Sequence, residues 1–262
     1  MQIAELNGLA VHYRDDGDPK GAPVVFANSL GTDLRLWDQV IALLPKGLRY
    51  ITYDKRGHGL TQATPAPYSM GTLVRDAEML LDHLEVRDAL FVGLSIGGMI
   101  GQGLAVKRMD QVRALVISNS AAKIGTADMW QDRIDAVQAN GIESLADPVM
   151  ERWFAKSFRA TPAIAAWRNM LIRQPVAGYA GCSAAIAGTD FYTPTSGLRL
   201  PVLGIAGSDD GSTPPDLVRE TVDLVPGSRF ELMRGVGHLP CVEDPQTYAR
   251  ILSDFIKETG HA

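Results

Sequence analysis

The sequence is poor in cysteine and has no excess of positive charge. Only two cysteines, Cys182 and Cys241, occur in 262 residues, and no Cys-x-x-Cys or His-x-x-x-His spacing is present, so we expect neither a disulfide framework nor a metal site. Lysine and arginine number 25 against 30 acidic residues, for a net charge of −5. That balance lacks the basic footprint of a nucleic-acid or membrane partner. No cofactor is expected either.

The chain also lacks a secretory signal, because no charged-then-apolar segment opens it. We therefore expect a cytoplasmic protein. The length suits one domain with room for an insertion. Hydrophobic residues make up 46% and charged residues 21%, which is typical of a globular chain. The oligomeric state is left open, with a homo-oligomer among the alternatives.

One long stretch, residues 89–106, has no charge at all. A membrane span needs about 18 such residues, so that alternative has to be weighed. Glycines at five positions, with Ser95 and Gln102, would make a poor lipid-facing helix. Leu90-Phe91-Val92 instead suits a strand buried on both faces. We therefore predict a buried strand, a tight turn and a helix.

Within that stretch, Gly93-Leu94-Ser95-Ile96-Gly97 has the G-x-S-x-G pattern of a nucleophile elbow. The elbow holds its serine in a strained conformation between strand and helix, and glycine is needed two residues before and after it. The pattern alone is short and arises by chance. Its position after an apolar strand and before a helix of small residues makes Ser95 a candidate nucleophile.

Buried strands and helices alternate from residue 23 to 118 and again from 200 to 257, which predicts a mostly parallel sheet with helices on both faces. Between them, residues 123–187 contain only helical patterns. Asp147-Pro148 and Thr161-Pro162 each predict an N-cap followed by the first helical residue. We expect an α/β core over 1–121 and 191–262, with an all-helical lid over 122–190 above the strands' carboxyl ends.

Three polar residues before the lid, His12, Asp54 and His58, are considered for a role in a site. His12 alternates with apolar residues and is predicted to face solvent on its strand. Asp54 and His58 lie in a turn-rich segment after a strand. They are candidates for catalysis, but a hydrogen-bonded brace within the loop is the favoured interpretation.

Two late loops provide partners for Ser95. Asp210 and His238 each follow a predicted strand, and a parallel sheet brings such loops to one edge. His238 would accept the Ser95 proton, and Asp210 would orient the imidazole and stabilise its charged form. Asp209 is the immediate rival of Asp210.

An oxyanion formed at this edge needs two backbone N–H donors. Ile96 follows the nucleophile and opens the helix, so its N–H is one candidate. Leu30 lies in the loop Asn28-Ser29-Leu30-Gly31 after an early strand, and its N–H is the other.

Together these motifs resemble the α/β-hydrolases over nearly the whole chain, including the order Ser, Asp, His. Asp210 is preferred because Gly207-x-x-Asp210-x-x-x-Pro214 resembles the acid loop of that family. Two stretches resemble the 3-oxoadipate enol-lactonases of the β-ketoadipate pathway of aromatic catabolism. They are Asn28-Ser29-Leu30-Gly31, where most relatives have His-Gly, and Gly178-Tyr179-Ala180-Gly181-Cys182-Ser183-Ala184-Ala185-Ile186 in the lid.

That resemblance implies opening of a five-membered enol-lactone that carries a carboxymethyl arm, to give 3-oxoadipate. The anionic arm should bind a cation. Arg133 lies about one helical turn from Trp130, and we predict that both, with Trp153, bind the substrate. The other candidate cations of the lid are Arg152, Arg159, Arg168 and Arg173.

Several alternatives share the same candidate residues. A general carboxylesterase, a perhydrolase-like relative and a carbon–carbon hydrolase would all use Ser95, Asp210 and His238. Haloalkane dehalogenases and epoxide hydrolases need a carboxylate nucleophile, which Ser95 argues against. A non-catalytic ligand receptor on the same fold is an alternative of a different class.

Overall fold

The computed structural model describes residues 1–6 and 8–261. Within that part of the chain, eight strands form a single sheet. They are β1 Gln2–Leu6, β2 Leu9–Gly17, β3 Pro23–Ala27, β4 Arg49–Tyr53, β5 Ala89–Leu94, β6 Val112–Ser118, β7 Val202–Gly207 and β8 Arg229–Met233.

The strand order is β1-β2-β4-β3-β5-β6-β7-β8. β1 pairs antiparallel with β2, and β2 pairs antiparallel with β4, whereas the pairs from β4 through β8 are parallel. Every residue of β5 and β7 is buried, and successive side chains point to opposite faces, so both faces of the sheet are covered. The predicted α/β fold is confirmed, and the parallel strands deliver their carboxyl ends to one edge.

The helices pack around this sheet. They are α1 Asp38–Ile41, α2 Met70–His83, α3 Ile96–Lys107, α4 Ala127–Asn140, α5 Ala146–Trp153, α6 Lys156–Arg159, α7 Ile164–Ile172, α8 Val176–Ala187, α9 Tyr192–Ser196, α10 Pro215–Asp223, α11 Pro240–Glu243 and α12 Pro245–Glu258. Short 3₁₀ helices span Leu34–Trp37 and Ile142–Leu145.

Helices α4 to α9 occupy the connection between β6 and β7, and residues 119–201 contain no strand. We call residues 122–190 the insertion, using the bounds that the sequence suggested. Its division from the core (1–121 and 191–262) and its role as a lid stay predictions.

Two helix starts inside the insertion were predicted wrongly. The 3₁₀ helix Ile142–Leu145 runs straight into α5, so Asp147 lies in the first turn rather than at the N-cap. Its carboxylate still favours the positive end of that helix. Thr161 precedes a turn in which the Ile164 N–H donates to the Thr161 carbonyl, and α7 begins at Ile164.

Candidate active site

Ser95 lies in a strained turn between β5 and α3. Its φ of 57° and ψ of −122° are rare for a residue with a side chain. A Cβ on Gly93 would lie 2.3 Å from the Gly97 carbonyl oxygen, and a Cβ on Gly97 would lie 2.2 Å from that of Ala27. The predicted need for glycine at both positions is therefore confirmed, and strain of this kind is typical of functional sites.

Two hydrogen bonds hold the backbone of Ser95, one at its N–H and one at its carbonyl oxygen. The Ser95 N–H donates to the Ser118 carbonyl at 3.0 Å, and the Ser120 hydroxyl donates to the Ser95 carbonyl at 2.6 Å. Because Ser95 is the N-cap of α3, its hydroxyl lies at the end of the helix that favours developing negative charge.

Asp210 and His238 form a buried pair in the loops after β7 and β8. The imidazole Nδ1 lies 2.8 Å from the Asp210 Oδ2, and the side chains are 2% and 0% exposed. Asn119 Nδ2 and the Thr213 hydroxyl also donate to Oδ2, each at 2.8 Å. Oδ1 accepts from the N–H groups of Ser212 and Thr213 at 2.7 and 3.0 Å.

These contacts keep Asp210 ionised. Burial alone would raise the pKa of its carboxyl group, but the charge and hydrogen bond of His238, with the bonds from Asn119 and Ser212, outweigh burial and lower the pKa. The rival Asp209 is exposed, and its carboxylate accepts from the Ser208 hydroxyl. The structure thus places Asp210, and not Asp209, against the imidazole.

The edge of the imidazole opposite Asp210 borders a cavity of about 120 Å³, which Ser95 also lines. Nε2 of His238 lies 3.4 Å from the hydroxyl oxygen of Ser29. Among the described residues, no hydrogen bond joins this nitrogen to the Ser95 hydroxyl. The three loops nevertheless meet at one rim of the sheet, with Ser95, Ser29 and His238 around one small space.

The α/β-hydrolase family model matches residues 22–245. The chain belongs to this family. It is 34% identical over 251 residues to 3-oxoadipate enol-lactonase 2 of Acinetobacter baylyi, with 95% of this chain and 94% of that protein covered. The solved structure of the enol-lactonase from Burkholderia xenovorans superposes with a TM-score of 0.94 at 33% identity, covering 98% of this chain and all of that one.

More distant relatives of this hydrolase have other names. A non-heme haloperoxidase of Rhodococcus erythropolis is 25% identical over 289 residues, covering 97% of this chain and 98% of that protein. The relatives support hydrolase activity, but their names differ. The choice among substrates therefore depends on the cavity of this chain.

One of the two candidate oxyanion donors lines that cavity, and the other directly follows Ser95 in the chain. Leu30 lines it directly, and Ile96 is the first residue of α3. Within residues 1–6 and 8–261, neither backbone N–H donates a hydrogen bond to the protein. Both N–H groups thus keep their donor capacity for a bound oxygen atom.

The predicted substrate residues Trp130, Arg133 and Trp153 all line the same cavity, and so does Arg152. The Arg133 guanidinium lies 4.6 Å from the centre of the Trp130 ring. Burial and the nearby charge of Arg133 lower the pKa of Arg152. In the described part of the chain, neither arginine forms an ion pair with an acidic side chain, although each is partly buried.

The remaining candidate arginines lie elsewhere. Arg168 binds Asp147 and Glu143 at the surface, and Arg159 lies 3.8 Å from Glu151. Arg173 lines a separate surface cleft. The sequence therefore identified Arg133 as a cavity residue, but it had no means to rank Arg152 above the other three.

Asp54 and His58 brace the loop after β3 instead of joining the Asp210–His238 pair. His58 Nε2 accepts from the Gly31 N–H at 3.0 Å, and Asp54 accepts from the Leu34 N–H at 2.7 Å. The prediction for His12 is wrong, because it is 7% exposed and its Nδ1 lies 2.7 Å from Asp54 Oδ2. A buried carboxylate that needs a partner explains this inward-facing histidine.

Three residues that touch this machinery were not predicted: Asn119, Thr213 and Lys55. Asn119 directly follows β6 and Thr213 follows Asp210 in the acid loop, so a polar residue at a strand's carboxyl end was the available signal. No group of three or more His, Cys, Asp or Glu side chains in the described residues is arranged to hold a metal. Over the same residues, no helix has the length and apolar character of a membrane span.

Proposed function

We propose that this hydrolase opens the ring of 3-oxoadipate enol-lactone and releases 3-oxoadipate through an acyl-enzyme on Ser95. The observation that carries the proposal is the pair of guanidinium groups, Arg133 and Arg152, in the cavity that Ser95 and His238 line. Charges that lose part of their hydration are normally paired, so two partly buried guanidinium groups without acidic partners among the described residues favour an anionic ligand. The enol-lactonase relatives support the same substrate.

The first step would be attack of Ser95 Oγ on the ring carbonyl carbon. His238 Nε2 accepts the hydroxyl proton, and Asp210 stabilises the imidazolium through Nδ1. Catalytic hydrogen bonds are often long before substrate binds, and displacement of the nitrogen's contact with Ser29 would free it. The carbonyl oxygen becomes an oxyanion that the N–H groups of Leu30 and Ile96 would bind.

Collapse of this intermediate breaks the ring C–O bond. The leaving group is an enolate, which His238 protonates at oxygen and which becomes a ketone. It stays attached to the acyl chain because the bond that breaks belongs to a ring. A water molecule then gives a proton to His238 and attacks the ester carbonyl, and Ser95 leaves with the proton returned to its hydroxyl.

The size of the cavity supports a small substrate. A volume of about 120 Å³ is well below the roughly 300 Å³ at which pockets for drug-sized ligands begin. Trp130 and Trp153 would enclose the lactone ring, and the carboxymethyl group would bind Arg133 and Arg152 by charge-assisted hydrogen bonds.

The test compares turnover of the enol-lactone with hydrolysis of p-nitrophenyl acetate, a neutral ester. We expect a strong preference for the lactone and loss of both activities in Ser95→Ala. Equal or better turnover of neutral esters would assign a general esterase instead. If a fluorophosphonate does not label Ser95, a receptor on the hydrolase fold replaces the enzyme.

The arginines are tested on the same two substrates. Arg133→Met and Arg152→Met should each raise KM for the lactone about 10- to 100-fold, the range for a charge-assisted bond, and leave KM for the neutral ester within twofold. Arg168→Met is the matched control, because that arginine lies at the surface. If neither variant changes KM for the lactone, the assignment of the carboxylate site is wrong.

A further inference from the structure

The carbonyl oxygen of Ser29 accepts three hydrogen bonds. Lys55 Nζ donates to it at 2.6 Å, the Thr32 hydroxyl at 2.9 Å and the Thr32 N–H at 3.2 Å. Backbone carbonyls have two lone pairs, so this oxygen is fully occupied, and one of its donors is an ammonium group.

The same peptide unit carries the N–H of Leu30. In a trans peptide the C=O and N–H bonds point in opposite directions, so an N–H whose carbonyl faces Lys55 points away from Lys55. Leu30 lines the cavity of Ser95, and within the described residues its N–H donates to no protein group.

We propose that Lys55 is a positioning residue of the oxyanion hole: its buried ammonium fixes the Ser29–Leu30 peptide and polarises the Leu30 N–H toward the carbonyl oxygen of the substrate. The inference rests on the hydrolase mechanism proposed above. Hydrogen bonds in series polarise one another, and a charge has a larger effect where water is excluded. Lys55 thus acts through the peptide and does not need to touch the substrate.

The surroundings of Lys55 argue against a merely structural role. It is 3% exposed, and its second bond goes to the Thr32 carbonyl at 3.2 Å. In the described part of the chain it forms no salt bridge. A buried cation without a carboxylate partner is costly, and neutral donors would suffice to brace a loop.

The ionisable groups around Lys55 act in opposite directions. Burial lowers its pKa to about 8, while Cys182, Asp54 and Asp33 act to raise it. His58 is buried beside it, and burial together with the charge of Lys55 lowers the pKa of that imidazole. Deprotonation of Lys55 as pH rises would remove the charge that faces the Ser29 carbonyl.

The experiment measures how fast a fluorophosphonate labels Ser95. In that reaction Ser95 Oγ bonds to phosphorus, fluoride leaves and His238 accepts the proton, while the phosphoryl oxygen occupies the oxyanion hole. Removal of a donor from such a hole costs about 10²- to 10³-fold. Loss of alignment alone should cost less, and we expect Lys55→Met to be labelled about 10- to 100-fold more slowly at pH 7.5.

Two further variants bracket this result. Thr32→Val removes a neutral donor from the same carbonyl and should slow labelling by only about two- to fivefold, since neutral hydrogen bonds are roughly half as strong. Lys20→Met, an exposed lysine before β3, should leave the rate unchanged. In steady-state assays with an ester substrate, Lys55→Met should lower kcat and leave KM within twofold of the wild-type value.

The pH profile of labelling and a second variant, Lys55→Gln, make the test independent of whether Lys55→Met folds. For the wild type, the labelling rate should fall as pH rises through about 8, and Lys55→Gln, which retains a neutral donor, should lack this fall. If Lys55→Met does not fold, labelling of Lys55→Gln at the wild-type rate at pH 7.5 overturns the inference, because the charge on residue 55 is then not needed.

The outcomes separate this inference from the function. Labelling of Lys55→Met at the wild-type rate would overturn the role of Lys55 and leave the hydrolase mechanism standing. No labelling of Ser95 in wild type would reject the mechanism, and the inference with it. A rise in KM without a change in kcat would make Lys55 a residue of substrate binding, contrary to the inference.

Discussion

Asp210 is held more firmly than its bond to His238 alone requires. Its two oxygens accept from Asn119, Thr213 and the backbone at 3.0 Å or less. Each bond removes one orientation that the carboxylate could otherwise adopt. The imidazole that faces it is therefore fixed in tautomer as well as in position.

The first prediction concerns Asn119, which donates to Asp210 Oδ2 and, at 3.3 Å, to the Gly237 carbonyl. Asn119→Ala should lower kcat about tenfold, because one bond to a charged oxygen is lost. Asp210→Asn should lower it by about 10³- to 10⁴-fold, since the tautomer is then wrong. Both are measured on the lactone under saturating conditions.

A double-mutant cycle gives that prediction its control. If Asn119 acts through Asp210, its replacement should cost almost nothing in the Asp210→Asn background. Full additivity of the two effects would mean that Asn119 serves only the fold. Its φ of 45° gives the fold a reason of its own to prefer asparagine there, and the cycle removes that contribution.

The second prediction concerns two glycines. Gly97→Ala would bring a Cβ within 2.2 Å of the Ala27 carbonyl oxygen, and such overlap with backbone should cost about 1–3 kcal/mol or more of unfolding free energy. Gly71→Ala is the matched control, because the nearest atom to its Cβ is the Ser69 hydroxyl oxygen at 3.7 Å. In helix α2 it should stabilise by about 0.5–1 kcal/mol.

Urea unfolding of both variants measures this contrast. Equal stability of Gly97→Ala and wild type would mean that β3 and α3 can separate without cost. The labelling rate of Ser95 in folded Gly97→Ala should also fall, because the elbow and the loop after β3 then shift relative to each other.

At the scale of elements, one short segment of the insertion is hydrogen-bonded to both the Asp210 loop and the His238 loop. The Gly211 N–H donates to the Arg152 carbonyl at 3.1 Å, and the His238 N–H donates to the Trp153 carbonyl at 2.7 Å. The Glu243 carboxylate accepts from the Ala155 N–H at 3.0 Å and the Gly237 N–H at 2.6 Å. The end of α5 thus positions the acid loop and the histidine loop together.

Glu243 gives this junction a pH dependence, which is the third prediction. Burial raises the pKa of its carboxyl group to about 7, and the charges of Asp209 and Asp210 act in the same direction, against the two N–H donors. A carboxyl whose pKa is raised on folding contributes stability below its unfolded pKa, near 4.5, and loses that contribution as pH rises through about 7.

The expected result is a difference between wild type and Glu243→Gln. From pH 5 to pH 8 the unfolding free energy of wild type should fall by about 2 kcal/mol relative to the variant, after allowance for the partial exposure of the side chain. Urea unfolding at several pH values measures it. Parallel curves for the two proteins would show that Glu243 does not titrate differently on folding.

The elements also show what sequence reasoning can reach. Strands β3, β5, β6 and β7 are predictable because each is a short apolar run, too short for a buried helix and followed by polar or glycine-containing turn residues. Asp210 and His238 were predicted because parallel strands end at one edge. The wrong helix starts at Asp147 and Thr161 came from local N-cap patterns that a preceding 3₁₀ helix and a turn displaced.

The site residues that the sequence did not predict are brought into place by the order of the strands in the sheet. Asn119 reaches Asp210 only because β6 and β7 are adjacent, and Lys55 reaches Ser29 because β3 and β4 are adjacent. Strand order is not encoded in any local pattern. Likewise, the choice of Arg152 over Arg168 depends on how α5 sits on the core. Asn7-Gly8, between two short segments at 3–5 and 10–13, also predicts the turn of a β-hairpin, and Asn7 lies outside the described residues.

At the scale of the whole molecule, the insertion and the sheet share one hydrophobic core. Trp153, Phe154 and Leu171 of the insertion belong to the same buried cluster as Phe91 and Val92 of β5. Trp130 and Val137 of α4 are part of it too. So are four residues of α8, namely Tyr179, Cys182, Ala185 and Ile186. No boundary between two separate cores divides the described chain where the sequence suggested a lid.

The last prediction follows from this shared core. Domains above about 150 residues often unfold through intermediates, and a lid that merely rested on the core would come off first. Here the bonds that the Arg152 and Trp153 carbonyls accept from the Asp210 and His238 loops, and the bond from the Ala155 N–H to the Glu243 carboxylate, would break in the same event as the packing of Trp153. We therefore expect one cooperative transition in urea.

Two signals measure it. Far-ultraviolet circular dichroism reports the unfolding of the sheet and the helices, and tryptophan fluorescence reports mainly the three tryptophans of the insertion. The two signals should have the same midpoint. In Trp37→Phe only the three tryptophans of the insertion remain, and the two midpoints should still coincide because the insertion and the sheet unfold together. A fluorescence midpoint below that of the dichroism would show that the insertion detaches alone, and a movable lid would then explain how substrate reaches so small a cavity.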